Sequence, residues 1–238
     1  MLWWITATLC AFFVKGLCGF ANTLVFTTML SFTQNNLLIS PVELVVGFPT
    51  NAILAWDERR NLNWRMWLPI SLMLLAGSIP GIFLLKNVEA NIIKVFFGVL
   101  IILVALEMMF RERSSVKMEQ SRVVSTIIGI CSGILCGLFG VGVLVGAYFS
   151  RVTKDTHTFK GNLAMVFVVE NVFRLITYSI SGVITAEALV QAAWLAPFML
   201  IALWLGMRAS RVLDEKIAKK LVLVLLMVSG AALIINSL

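Results

Sequence analysis

Lys15-Gly-Leu-Cys-Gly-Phe20 and Cys136-Gly-Leu-Phe-Gly-Val141 carry the same Gly-Leu-x-Gly pattern, 121 residues apart. Each glycine pair, Gly16/Gly19 and Gly137/Gly140, interrupts a long apolar stretch near its middle. A helix that restarts after such a break presents unpaired N–H groups and partial positive charge at its new N-terminus. Glycine lets a ligand approach that backbone. In the first copy Asn22 and Thr23 follow the break, where they cap the helix or donate hydrogen bonds, and Lys15 adds a full positive charge. Together these make an anion cradle. A second reading of Lys15 stands beside the first: it neutralises the C-terminal dipole of the first half-helix or reaches to water. The second copy continues to Gly142 and carries no charge. It offers backbone donors, or else close helix contact through glycine. Two glycine breaks at matching places in two hydrophobic halves indicate an internally repeated transporter. In such a fold the ligand sits near the bilayer midplane between half-helix ends.

Further polar residues lie at corresponding depth. Thr50 and Asn51 follow Pro49, which removes a helix hydrogen bond. Asn51 matches Asn171 at an offset of 120, and Glu170 and Arg174 flank Asn171. Ionisable groups at such depth face a cavity more readily than lipid. The expected anion site is therefore Lys15, Gly16, Gly19, Asn22, Thr23, Thr50, Asn51, Gly137, Gly140, Gly142, Asn171 and Arg174. Glu170 is placed at proton or ion coupling. Glu170 and Arg174 are also one helical turn apart, so an ion pair within the helix is the competing reading. Glu43, Glu107 and Glu187 lie nearer to span ends and are expected at the membrane interface. Trp3, Trp4, Trp56, Trp64, Trp67 and Tyr178 read as interfacial anchors.

Long apolar runs must position these groups. Of 238 residues, 60% are hydrophobic and 13% charged, and the mean hydropathy is +0.98. Eight apolar regions follow, at 2–32, 37–56, 66–85, 92–110, 123–150, 159–180, 189–206 and 220–238. The first and fifth are cut by the glycine motifs into pieces about 20 Å long at helical rise, too short for a hydrocarbon core of about 30 Å. Basic residues decide whether these two regions cross or return. If both return, one face receives Arg59, Arg60 and Arg65; Arg111, Arg113, Lys117 and Arg122; Arg151, Lys154 and Lys160; and Arg208, Arg211, Lys216, Lys219 and Lys220. The other face receives only Lys86 and Lys94. The positive-inside rule prefers this split to the near-even one that two crossings give.

The expected fold is an all-α polytopic membrane protein of two inverted repeats. Each repeat is a re-entrant helical hairpin plus three transmembrane helices. The N-terminal repeat is 1–110, a cytoplasmic linker runs over 111–122, and the C-terminal repeat is 123–238. Both termini fall outside the cytoplasm. Met1-Leu-Trp-Trp-Ile lacks the basic region of a signal peptide and reads as part of the mature membrane domain.

Several classes are excluded. The net charge of +7 is spread over short loops between spans, a membrane-topology pattern with no nucleic-acid partner in view. His157 is the only histidine, and Cys10, Cys18, Cys131 and Cys136 lie in apolar stretches without metal-site spacing. No nucleophile–base set or nucleotide-binding loop is present, so no catalytic residue, cofactor or metal is assigned and an enzyme is not expected.

At its paired Gly-x-x-Gly-[Phe/Val] motifs the chain resembles the sulfite exporter TauE/SafE family of membrane permeases. The resemblance covers nearly the whole chain: two homologous halves, a glycine-rich first element in each, and a basic central loop. It implies transport of a small sulfur-containing anion, such as sulfite, a sulfonate or a related organosulfur compound. The expected mechanism is alternating access in the plasma (cell inner) membrane of a prokaryote. The family motif continues roughly Gly-x-x-Gly-x-Gly-Gly-Gly. Here Ala21, Asn22 and Thr23 replace the glycine run, and the second copy keeps Gly142. The polar Asn22-Thr23 pair points to a ligand contact particular to this chain. The alternative is a membrane thiol–disulfide electron carrier using Cys18 and Cys136, one at each hairpin tip. Substrate, direction, coupling ion and oligomeric state are left open by the sequence.

Overall fold

Glycine and left-handed backbone, not proline, end the first helix. α1 (Leu2–Cys18) stops at Gly19, whose φ of 82° is left-handed and whose N–H returns to the Lys15 carbonyl. Ala21 repeats the left-handed conformation at φ 73°, at a cost of about 1–2 kcal/mol for a residue with a Cβ. α2 (Asn22–Ser31) then runs back along α1. Trp3 Nε1 donates to the Met29 carbonyl at 2.8 Å. Trp4 and Phe12 meet Phe26 edge-on, with ring centroids 5.9 and 6.4 Å apart.

The computed structural model describes residues 1–34, 36–87, 95, 99, 102–103, 106, 122–139, 142–153, 155–210, 224, 227 and 231. The expected spans 92–110 and 220–238 and the linker lie largely outside these, and Gly140, Lys94 and Glu107 wholly so. All the regular structure among the described residues is helical. The remaining long helices are α3 (Asn36–Asp57), α4 (Trp64–Asn87), α5 (Arg122–Phe139), α6 (Val143–Val152), α7 (Thr156–Ile180) and α8 (Ala186–Ala209). α3 continues through Pro41 and Pro49 without interruption. Among the described residues, four stretches are long and apolar enough to cross a membrane: Leu38–Asp57, Trp64–Phe83, Thr156–Ile180 and Ala186–Ala209.

The chain forms two compact units, and each draws on both sequence halves. One comprises Met1–Val46, Val88–Ser114 and Ile184–Leu238; the other comprises Gly47–Asn87 and Ser115–Val183. In the first unit α8 packs on α1, with Gly16 and Gly206 at the crossing. A Cβ on Gly16 would stand 2.6 Å from the Leu203 carbonyl oxygen and 2.7 Å from the Met207 nitrogen. In the second unit α4 packs on α5 through Gly77, Gly81, Gly133 and Gly137. Ser78 spans that contact, its hydroxyl donating to the Leu74 and Gly133 carbonyls. Small residues let apolar helices approach closely where no water is available to drive association.

Outward faces are apolar. Leu72, Ile79, Phe83, Ile176, Val190, Trp194 and Ile201 are exposed, whereas Lys15, Glu43, Glu170 and Arg174 are buried. This inversion of the soluble pattern suits a bilayer. Trp56, Trp64 and Trp204 are exposed and each lies under an arginine, Arg59, Arg65 and Arg208 respectively. Two expected anchors are corrected. Trp4 is buried against Phe26 because α2 folds over it, and Tyr178 is buried with its hydroxyl donating to the Gly137 carbonyl at 3.4 Å.

Candidate functional site

The first hairpin tip gathers the charged groups. Lys15 lies in the last turn of α1 and is 1% exposed. Its Nζ has no hydrogen-bond partner among the described residues; its nearest ring, Phe12, lies 6.0 Å away. A lysine so placed cannot reach water, and burial of an ammonium without full compensation is expensive. Three residues on, Gly19 and Ala21 turn the chain so that α2 begins directly beside the tip. No side chain of its own N-cap, Ala21, closes that N-terminus.

The two polar residues that open α2 turn instead to a carboxylate. Asn22 Nδ2 donates to Glu43 Oε1 at 2.9 Å and Thr23 Oγ1 donates to the same oxygen at 2.6 Å. Glu43, on α3, is 4% exposed, and its charge acts on Lys15. The expectation that Glu43 sits at the interface is corrected. It stands seven residues into α3, about 10 Å along the axis, where the α2 donors and the Lys15 cation hold it inside. A helix N-terminus favours negative charge, and here the protein supplies one itself. The sequence offered one signal for Glu43, a lone acid well inside an apolar run. Nothing in it linked position 43 to positions 15, 22 and 23.

The second unit is built differently. Glu170 and Arg174, each 1% exposed, form an ion pair on α7 with Nη1 and Oε1 3.7 Å apart. Arg174 lies over the Tyr178 ring at 5.1 Å, and Tyr178 in turn donates to Gly137. A Cβ on Gly137 would stand 2.5 Å from the Ser78 carbonyl oxygen, so this glycine serves helix contact, as Gly16 does in the first unit. Gly142 opens α6 without a side-chain cap, and its Cα faces the Phe167 ring and the Cys136 sulfur. Thr50 is buried with its hydroxyl donating to the Gly47 carbonyl at 2.6 Å. Asn51 and Asn171 are buried in the same unit.

Of the expected site residues, the structure thus brings Lys15, Asn22 and Thr23 together around Glu43, next to Gly19. Separately it links Glu170, Arg174 and Gly137 through Tyr178. Cys136 is wholly buried, and the Cys18 side chain lies outside the described residues.

A further polar cluster ties the α3–α4 loop to the start of α7. Glu58 Oε1 meets His157 Nδ1 at 2.8 Å and Oε2 accepts from Asn61 at 2.9 Å. Asn162 accepts from the Asn63 N–H and donates to the Asn61 and Thr158 carbonyls. Asp155 caps α7 through the Thr158 N–H at 2.8 Å and its hydroxyl at 2.7 Å. These bonds hold the Asp155 carboxyl below its ordinary value.

Compared with known proteins, residues 4–233 match the model of one family, described as Sulfite exporter TauE/SafE. No curated protein and no solved structure matches the chain significantly.

Proposed function

From the premise that the chain belongs to the sulfite exporter TauE/SafE family, we propose that it is a secondary transporter for one small sulfur-containing anion, such as sulfite or a sulfonate. It works by alternating access between two inverted halves. The observation that carries this reading is Lys15: a buried ammonium without a hydrogen-bond partner among the described residues, beside a helix start that no side chain of its own caps. The anion binds there, with Gly19, Asn22 and Thr23 supplying donors.

Exchange of partners between the sequence halves supports the repeat. α1 pairs with α8 and α5 pairs with α4, which is one pairing under interchange of halves. Gly16 corresponds to Gly137 at an offset of 121, and Gly81 to Gly206 at 125. In this reading α1–α2 and α5–α6 are re-entrant hairpins. Glu170 and Arg174 keep each other neutral, a role their spacing on one helix favours over direct contact with substrate. The protein lies in a prokaryotic plasma membrane with both termini outside. The redox alternative gains no support from Cys136, whose sulfur is enclosed beside Gly142.

Two experiments test this. The purified protein is screened for thermal stabilisation by sulfite, methanesulfonate and taurine; stabilisation by one of them that disappears in Lys15→Met supports the site, and none by any of them refutes it. Single cysteines at Gln34 and Ser237 label from outside and one at Ser114 only from the cytoplasm. Labelling of Gln34 and Ser114 from the same side overturns the hairpin topology.

A further inference from the structure

We propose that Glu43 is the proton-coupling carboxylate of this transporter: it occupies the hairpin tip as an internal anion, and it takes a proton when a substrate anion replaces it beside Lys15, so that one sulfonate moves with one proton. The proposal rests on the transport reading above and adds the coupling ion and its residue.

The geometry is that of a bound carboxylate ligand supplied by the chain. A single oxygen, Oε1, takes both Asn22 and Thr23. These residues open a helix whose N-cap, Ala21, makes no side-chain capping bond. Lys15 supplies the opposite charge from another helix and keeps its Nζ without a hydrogen bond among the described residues. Everything that would recognise a sulfonate is therefore directed at, or lies close to, Glu43. The substrate and Glu43 compete for the same donors.

Charge balance then fixes the coupling. Lys15 and Glu43 together are neutral. An anion added to them leaves one uncompensated negative charge in a buried site, which the protein interior disfavours. A proton on Glu43 removes that charge and weakens its hold on Asn22 and Thr23, which turn to the substrate. Among the described residues, other ionisable groups do not supply this balance. α2 carries none. On α1 the others are Cys10, which is exposed, and Cys18. α8, packed on α1, carries Glu187 and Arg208, both exposed, and Asp57 lies at the exposed end of α3. Intramembrane carboxylates facing a polar partner are the usual carriers of protons in transport.

The test uses the full chain in liposomes that enclose a pH-sensitive dye. Methanesulfonate is the probe, because it is permanently ionised and brings no proton of its own. With one proton per anion, accumulation at steady state rises about tenfold per unit of pH gradient. The lumen acidifies as the anion enters, and an imposed membrane potential leaves the uptake unchanged. In Glu43→Gln the pH drive and the acidification are lost, and whatever net methanesulfonate flux remains responds to membrane potential. Entry into wild-type liposomes without acidification, or a Glu43→Gln variant still driven by pH, overturns the proposal. If Glu43→Gln does not fold, the wild-type dye and potential measurements decide alone. Transport of sulfite but not methanesulfonate also overturns it, since the proposal is made for a permanently ionised substrate. Failure of sulfite, methanesulfonate and taurine alike to enter removes the transport reading itself, and this inference with it.

Discussion

Among the described residues, Lys15 and Glu43 are buried in one half of the chain and Glu170 and Arg174 in the other, and the two pairs are built on opposite plans. Lys15 and Glu43 belong to different helices, α1 and α3, and Glu43 alone of the two bonds Asn22 and Thr23 on a third. Glu170 and Arg174 are four residues apart on α7. The repeat offsets make the contrast sharper. Lys15 corresponds to Cys136 and Glu43 to Leu163, whereas Glu170 and Arg174 correspond to Thr50 and Leu54. A pair within one helix stays together however that helix moves. A pair between helices is separated or regrouped when they shift, so it is the one able to exchange partners during a transport cycle. One half of the chain thus holds a fixed charge pair and the other a separable one.

The comparison breaks most severely if the glycine contacts common to both units are filled. Gly206→Leu and Gly81→Leu drive side chains into the backbone of α1 and α5 respectively. Overpacking costs about 1–3 kcal/mol even where side chains yield; against backbone we expect more, read as loss of monodisperse protein on size exclusion. Next is the fixed pair. Arg174→Met removes the charge that compensates a buried Glu170, a change of about 3–5 kcal/mol. The thermal midpoint falls, and Glu170→Gln in the same chain restores most of it. No restoration would mean that Arg174 does more than pair with Glu170.

The separable pair behaves otherwise. Lys15→Met weakens anion binding by roughly tenfold to a hundredfold, the value of a charged hydrogen bond of about 1.5–3 kcal/mol, with less effect on folding than Arg174→Met. Titration calorimetry against the stabilising sulfur anion measures this. Equal losses of stability in Lys15→Met and Arg174→Met would erase the distinction drawn here.

The smallest effect compares two helix starts. α2 takes a carboxylate from a distant helix, while α7 takes its own Asp155 at the exposed surface. The Asp155 carboxyl lies below its ordinary value because the Thr158 N–H and hydroxyl hold it ionised. Its contribution is therefore complete above the carboxyl's unfolded pKa and is lost as pH falls through the lower folded one. Asp155→Asn should flatten the acid limb of the melting-temperature profile slightly, without altering anion affinity at neutral pH.

Much of this was legible in the chain. Apolar runs located the observed long helices to within a few residues, because lipid-facing helices must be apolar along their whole length. The breaks near Gly19 and Gly142 were legible because glycine offers both left-handed backbone and close approach. Glu43 was misread because burial depends on partners supplied by other helices, and a one-dimensional pattern gives depth along a helix but not the side it faces. Tyr178 and Trp4 were misread for the same reason: an aromatic near a span end is an anchor or a core residue according to what covers it. Gly16 and Gly137 were assigned to ligand contact, and the structure gives them neighbouring helices. The sequence held both readings because ligand approach and helix approach place the same demand on side-chain size.

The α1–α8 contact also sets a timetable for biosynthesis. Gly16 and Gly206 touch across 190 residues of chain. At about 5–20 residues per second of synthesis, the first hairpin waits on the order of 10–40 s for its partner helix to emerge. α4 and α5, whose contacting glycines Gly77 and Gly133 are 56 residues apart, meet much sooner. Lys15 thus spends that interval in a nascent membrane protein whose first unit is unfinished. Its carboxylate partner on α3 is already made by then. Glu43 can neutralise the lysine long before α8 arrives, so the residue proposed to exchange protons in the finished transporter is also the one that lets the unfinished one rest in the bilayer.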